Sequence, residues 1–310
     1  MRIINKLAVI LTNHVQTDII NMNDITTRQN NPNLIELLKA QRIAYSQCKR
    51  FQIFDIVSIL IAILFPVLTL KLPDYQNTIN AFGVLWTASY LLTEVYRKNK
   101  TTQGAIIQEQ FDTELFNLDW NIVLCKEKAN IDTIQNLSSN YSKNDLQNWY
   151  STKIDSLLPL EISVLLCQRI NFSWEISQRQ KFVTFLSILA LIYYGIYIVL
   201  GFKNNIGFFD LLVMLSPSIS FLIYSVLNVI SLRSHVKSKK ETLKFIDNEL
   251  ENYRRNKNSI PTKEKLRQIQ DVIFTERTVP EKVPDWFYRL NKSKNENFID
   301  NLIIKIQNNF

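Results

Sequence analysis

The stretch Phe182–Leu232, FVTFLSILALIYYGIYIVLGF followed by KNNIG and FFDLLVMLSPSISFLIYSVLNVISL, decides how this chain is read. From Phe182 to Phe202 roughly 21 residues pass without a charge. That is about what a helix rising 1.5 Å per residue needs to cross a hydrocarbon core of about 30 Å. Lys203–Gly207 supplies a polar turn, and Phe208–Leu232 returns with a single charge, Asp210, at its entry. One such run can be the core helix of a soluble protein. Two back to back read as a membrane-spanning hairpin.

Toward the N-terminus the layout recurs. Phe51–Leu70 is an apolar run interrupted by Asp55 near its start and Pro66 near its end, Lys71–Thr78 is a polar turn, and Ile79–Tyr96 returns with Glu94 near its exit. The basic flanks then set the orientation. Lys49 and Arg50 precede the first run, and Arg97, Lys98 and Lys100 follow the second. Arg179 and Lys181 precede the third, and Arg233, Lys237, Lys239 and Lys240 follow the fourth. The turns carry only Lys71 and Lys203. Basic residues collect on the cytoplasmic side of membranes. The expected fold is therefore an all-α membrane protein of four transmembrane helices arranged as two hairpins, with both termini cytoplasmic. Its parts are an N-terminal cytoplasmic segment (1–50), a first hairpin (51–96), a cytoplasmic helical domain (97–181), a second hairpin (182–232) and a cytoplasmic helical tail (233–310).

Composition narrows the chemistry. Five glycines and neither GxGxxG nor GxxxxGK[ST] leave no phosphate-cradling loop. Cys48, Cys125 and Cys167 are widely spaced without a CxxC, which suits a reducing compartment and excludes a disulfide framework or zinc ribbon. His14 and His235 are the two histidines, far apart in sequence, so no metal site and no cofactor are expected. The net charge of +8 is interleaved in the tail with Glu241, Glu249, Glu251, Glu264 and Asp271, a solvated-helix pattern. Anionic lipid headgroups account for the surplus better than a nucleic acid polymer. Residues 1–21 faintly resemble a signal peptide without a cleavage site, and a native start at Met22 is expected.

The polar segments read as helices. Leu34, Leu37, Leu38 and Ile43 follow Pro32 at helical spacing. Phe111, Leu115, Leu118 and Ile122 repeat by threes and fours, as do Ile154, Leu157, Leu158 and Ile162, with a loop at 138–144 between them. A helix is expected over Thr262–Thr275 and another over Phe298–Phe310.

Three groups of residues are candidates for function. Asp55 and Glu94 sit at similar depth. They could form an acidic ring at a pore mouth, and the simpler reading has them snorkelling to the interface beside Arg50 and Arg97. Ser216, Ser220, Tyr224 and Asn228 recur every four residues around Pro217, a polar stripe that either lines water or hydrogen-bonds to neighbouring helices. Pro217 is a candidate kink. Glu109, Asp112, Glu114 and Asp119 lack a companion nucleophile or histidine, so no catalytic residue is assigned. Their expected task is to pair with Arg169 and Arg179, which could alternatively grip a phosphate.

The segment Gln108–Phe116 running on to Trp120-Asn121 resembles the SMODS-associated four-transmembrane (S-4TM) family of effectors with a proposed pore-forming role. So do Leu37–Arg42 with Tyr45 and Lys49, Trp149-Tyr150, Cys167–Asn171 with Trp174-Glu175 and Arg179, and Pro284-Asp285-Trp286-Phe287-Tyr288. Glu175 stands where the family pattern has Asp, and residues 1–21 have no counterpart. The family-motif residues singled out are Glu109, Phe111, Asp112, Trp120, Gln168, Arg169, Asn171, Trp174, Arg179, Pro284, Asp285 and Trp286. The resemblance implies a bacterial anti-phage effector that accompanies nucleotidyltransferases making cyclic oligonucleotides and disrupts the inner membrane on activation. Its expected partners are the lipid bilayer, further copies of itself, and a cyclic oligonucleotide or its synthetase. A membrane-anchored scaffold without a pore is the alternative, and a membrane enzyme the more distant one.

Overall fold

A computed structural model describes residues 24–279, 287 and 292–310, and among these every regular element is helical. The expected start at Met22 lies outside the described residues. Chain order is α1 (Ile25–Arg28), α2 (Pro32–Arg50), α3 (Gln52–Lys71), α4 (Gln76–Phe116), α5 (Ile122–Cys125), α6 (Ile131–Ser138), α7 (Leu160–Lys203), α8 (Phe208–Leu215), α9 (Ile219–Arg255), α10 (Lys263–Arg277) and α11 (Lys292–Gln307). Short 3₁₀ turns at Pro73–Tyr75 and Ser216–Ser218 join α3 to α4 and α8 to α9.

Local chemistry sets the boundaries. The Asn31 side chain accepts from the Asn33 amide ahead of Pro32, Asn130 accepts from the Thr133 amide at 2.8 Å, and Thr262 caps α10. Each satisfies an amide that the first helical turn leaves orphaned. Asn117 ends α4 in the left-handed region at φ 54°, and the Leu118 amide folds back to the Thr113 carbonyl. The repeat at Phe111, Leu115, Leu118 and Ile122 is therefore cut short after Phe116. The second expected repeat fails at its start: Ile154, Leu157 and Leu158 lie in turns, and α7 begins only after Pro159. A residue before proline is pushed out of the helical region, which explains the break. The run from Phe208 to Leu232 is not one helix either. It breaks at the Ser216–Ser218 turn, where Pro217 withholds an amide.

Three helices are long rods that carry apolar and polar halves without interruption: α4 of 41 residues, α7 of 44 and α9 of 37. The sequence boundaries at Arg97, Lys181 and Arg233 fall inside them. By length and composition two helical stretches suffice to cross a membrane, Arg179–Lys203 and Ile219–Arg255, and Val57–Thr69 is a shorter apolar stretch. The apolar half buries Ala62, Tyr90, Phe182, Leu186, Phe221 and Tyr224, and turns Leu60, Leu64, Leu85, Leu92, Leu191 and Ile230 outward.

The polar half has one continuous core built from three separate parts of the chain. Leu38 and Ala44 of α2, Phe111 and Leu115 of α4, Leu165 of α7, Ile246 of α9, Ile273 of α10 and Ile303 of α11 belong to it. The α2–α4 contact is close because Gly104 has no side chain: a Cβ there would meet the Tyr45 ring at 3.0 Å. Gly104→Val is expected to cost about 1–3 kcal/mol by overpacking, read by thermal unfolding of the solubilised protein, with Tyr45→Ala relieving part of the loss. A Gly104→Val protein as stable as the parent would sink this account of the contact.

Candidate functional site

Two buried polar clusters hang on the same rod, α4. The first lies in the apolar half. Arg97 donates from Nη1 to Asp55 Oδ1 of α3 at 3.0 Å and also to Glu94. Asp55 and Arg97 are both buried. Of the two arginines expected beside these carboxylates, Arg97 pairs with both, and Arg50 is exposed. A charge buried beside apolar surface persists only when paired, and here one guanidinium serves both acids.

The polar stripe of α9 faces the same interior. Ser220, Tyr224 and Asn228 are buried, whereas Ser216 sits in the 3₁₀ turn and donates to the Val213 carbonyl at 2.8 Å. Asn228 donates to the Tyr224 carbonyl at 2.9 Å. Around them Trp86 Nε1 donates to Ser58 Oγ at 2.9 Å, and the Tyr194 hydroxyl donates to the Ser218 carbonyl.

The second cluster lies in the polar half. Glu109 and Asp112, one turn apart on α4, are wholly buried. Their cationic partners come from α10, not from Arg169 and Arg179 as the sequence suggested. Arg267 donates to Glu109 and Arg277 to Asp112. Gln270 Nε2 bridges both acids at 2.8 and 3.0 Å. The Tyr150 hydroxyl donates to Asp112 Oδ1 at 2.7 Å and receives from Asn171 Nδ2 at 3.2 Å. Gln168 donates to the Leu266 carbonyl and to Gln270, tying α7 to α10.

The remaining motif residues surround this network. Phe111 is buried with its ring stacked on Tyr150. Trp120 Nε1 donates to the Lys126 carbonyl at 2.8 Å, with Lys128 over its ring. Arg169 pairs with Asp247 of α9 at 2.7 Å, and Arg179 is buried on α7. Trp174 lies on α7, but its side chain, like Pro284, Asp285 and Trp286, lies outside the described residues. Phe287 packs edge-on against Phe182 where the apolar part of α7 begins.

Burial and ion pairing act against each other in this network. Burial pushes the Glu109 carboxyl above its ordinary range, with Arg267 pulling the other way. Burial lowers the Arg267 guanidinium, but Glu109 and Asp271 outweigh it and hold the group above its usual value. Burial pushes the Cys167 thiol well up and the Cys125 thiol up to about 12. Thiols held protonated in this way are poor nucleophiles.

Sequence reasoning missed Arg267, Gln270 and Arg277. Steps of three and seven place them on one side of α10, beside Leu266, Ile269 and Ile273. Polar residues in register with an apolar face were the available signal. Acids interleaved on the same helix obscured it.

Similarity to known proteins runs along most of the chain. The model of the SMODS-associating 4TM effector domain matches residues 23–305. A protein of Bacillus cereus (strain VD146), described as a probable CBASS effector molecule, is 29% identical over 284 residues, covering 87% of this chain and 93% of that protein. No solved structure matches.

Proposed function

The chain belongs to the SMODS-associating 4TM effector family, and from that premise we propose that it is an anti-phage effector that permeabilises the bacterial inner membrane when activated. It acts as a pore and not as an enzyme. Four spans cross the bilayer: α3, the first half of α4, the second half of α7, and α8 with the first half of α9. The apolar surface turned outward on all four spans and the basic residues at their polar ends support this reading. Both termini and the polar half are then cytoplasmic.

The observation that carries the proposal is the buried polar interior of the apolar half, enclosed by an apolar exterior. A passive anchor has no use for an Arg–Asp–Glu cluster and a hydroxyl stripe inside its bundle, because such groups are costly in hydrocarbon. The polar half receives the signal, a cyclic oligonucleotide or contact with its synthetase, and several copies assemble on the membrane. Such a signal works only by binding the open form better than the closed one. The rods α4, α7 and α9 pass a shift in the polar half to the apolar half without an intervening hinge.

Membrane potential tests this reading in bacteria carrying the chain with a neighbouring nucleotide synthetase. Phage infection is expected to collapse the potential, and omission of the synthetase to preserve it. Phage protection with an undisturbed potential would remove the pore.

A further inference from the structure

We propose that the conducting path runs through the interior of each single subunit, that Arg97 plugs it in the closed state, and that it passes cations. This rests on the pore reading above.

The argument begins with which way the side chains point. A ring of subunits enclosing a shared pore needs its polar residues on an outer face of each subunit. Here they point inward. Asp55 and Arg97 have side chains only 10% and 6% exposed, and Ser220, Ser225, Tyr224 and Asn228 are buried within the same bundle. The outward faces of the same helices carry Leu60, Leu64, Leu92, Leu222 and Ile230.

The interior is also incompletely satisfied. Ser220 Oγ, Ser225 Oγ and Arg97 Nε are buried without a hydrogen-bond partner. A buried polar group left unpaired costs on the order of 1–3 kcal/mol, and hydrocarbon offers no replacement partner. Three such atoms in one narrow bundle fit an interior that takes up water.

Arg97 sits at the cytoplasmic end of this interior, between α3 and α4. It bridges Asp55 and Glu94, so the formal charges of the three sum to −1. With the guanidinium in place a cation meets a positive group lodged between the two acids, which blocks the path and makes the cluster one charge less negative. With it withdrawn, two carboxylates face the path, the arrangement that attracts cations. The plug is coupled to the polar half by α4 itself: 12 residues separate Arg97 from Glu109 on one unbroken helix, about 18 Å. Release of Glu109 and Asp112 by α10 frees the rod that carries Arg97. Assembly of several copies then governs activation, while each subunit keeps its own path.

The test combines flux with accessibility. Full-length Arg97→Gln protein in phosphatidylglycerol-containing liposomes is expected to leak potassium without any activator. The increase over the parent should be on the order of tenfold or more, as expected when a like charge leaves a low-dielectric path. Chloride flux should rise much less, and adding Asp55→Asn should erode the preference. Because Arg97→Gln could misfold, the otherwise unaltered chain carrying Ser220→Cys or Leu222→Cys is probed in parallel with a charged, water-soluble methanethiosulfonate. The native cysteines are buried and keep the background low. Modification of Ser220→Cys but not Leu222→Cys supports an interior path. The reverse pattern, or a tight Arg97→Gln protein while the parent depolarises infected cells, overturns the plug and leaves the pore reading standing. A parent that never depolarises infected cells removes both.

Discussion

Arg277→Ala is expected to lose about 3–5 kcal/mol of stability and with it most of the folded protein. Arg277 is the guanidinium that faces Asp112, a carboxylate with no solvent exposure. Truncating one member of a buried ion pair leaves the other charged, desolvated and unpaired, and costs of that size follow. The remaining partners of Asp112, Tyr150 and Gln270, donate hydrogen bonds but carry no positive charge. Chemical denaturation of the detergent-solubilised protein, or its accumulation in membranes, reads the loss. Combining Arg277→Gln with Asp112→Asn removes both charges and keeps hydrogen-bonding groups at both positions, so more than half of the loss should return. A cost below about 1 kcal/mol for Arg277→Ala would place it with exposed surface pairs and contradict the clamp.

Phe111→Ala is expected to be nearly as damaging, by a different route. The ring is fully buried in the core of the polar half and stacks against Tyr150 at 6.4 Å between centroids. Removing a buried phenylalanine side chain costs about 3–5 kcal/mol through lost transfer energy and the cavity left behind. The consequence extends to the clamp, because Tyr150 is held by Phe111 and Phe116 while its hydroxyl reaches Asp112. Phe111→Leu, which refills much of the volume, should recover a large part. Were Phe111→Ala to keep full stability yet abolish phage protection, the ring would be a contact for a partner and not a core residue.

These two residues also show how far the sequence could be read. Uncharged runs of about 20 residues announce themselves, because crossing a bilayer or filling a core demands them, and the apolar half follows those runs. The rods were harder to see. Lys98–Gln103 followed by Gly104 looks like a helix end, since charges, two threonines and a glycine gather there. Packing of α2 overrides that local weakness, and Gly104 is where Tyr45 comes closest. The clamp was legible on one side only. Glu109 and Asp112 stood out as acids in an apolar repeat, but their partners lie 158 and 165 residues away. No periodicity spans that distance, so the nearer Arg169 and Arg179 were the natural choice. Arg169 turned instead to Asp247, one helix over. The inward aim of Asp55, Glu94 and the α9 stripe was similarly out of reach, because four-residue spacing establishes a shared face without saying what that face meets.

The order in which the chain is made gives the position of α10 a further consequence. Both apolar pairs leave the ribosome before the helix that clamps α4. The roughly 45 residues between Leu232 and Arg277 take about 2–9 s at bacterial rates of about 5–20 residues per second. Throughout that interval the newborn protein has all its apolar helices but lacks the α10 partners of Glu109 and Asp112. The timing of translation thus sets how long each molecule goes without the cations that face Glu109 and Asp112.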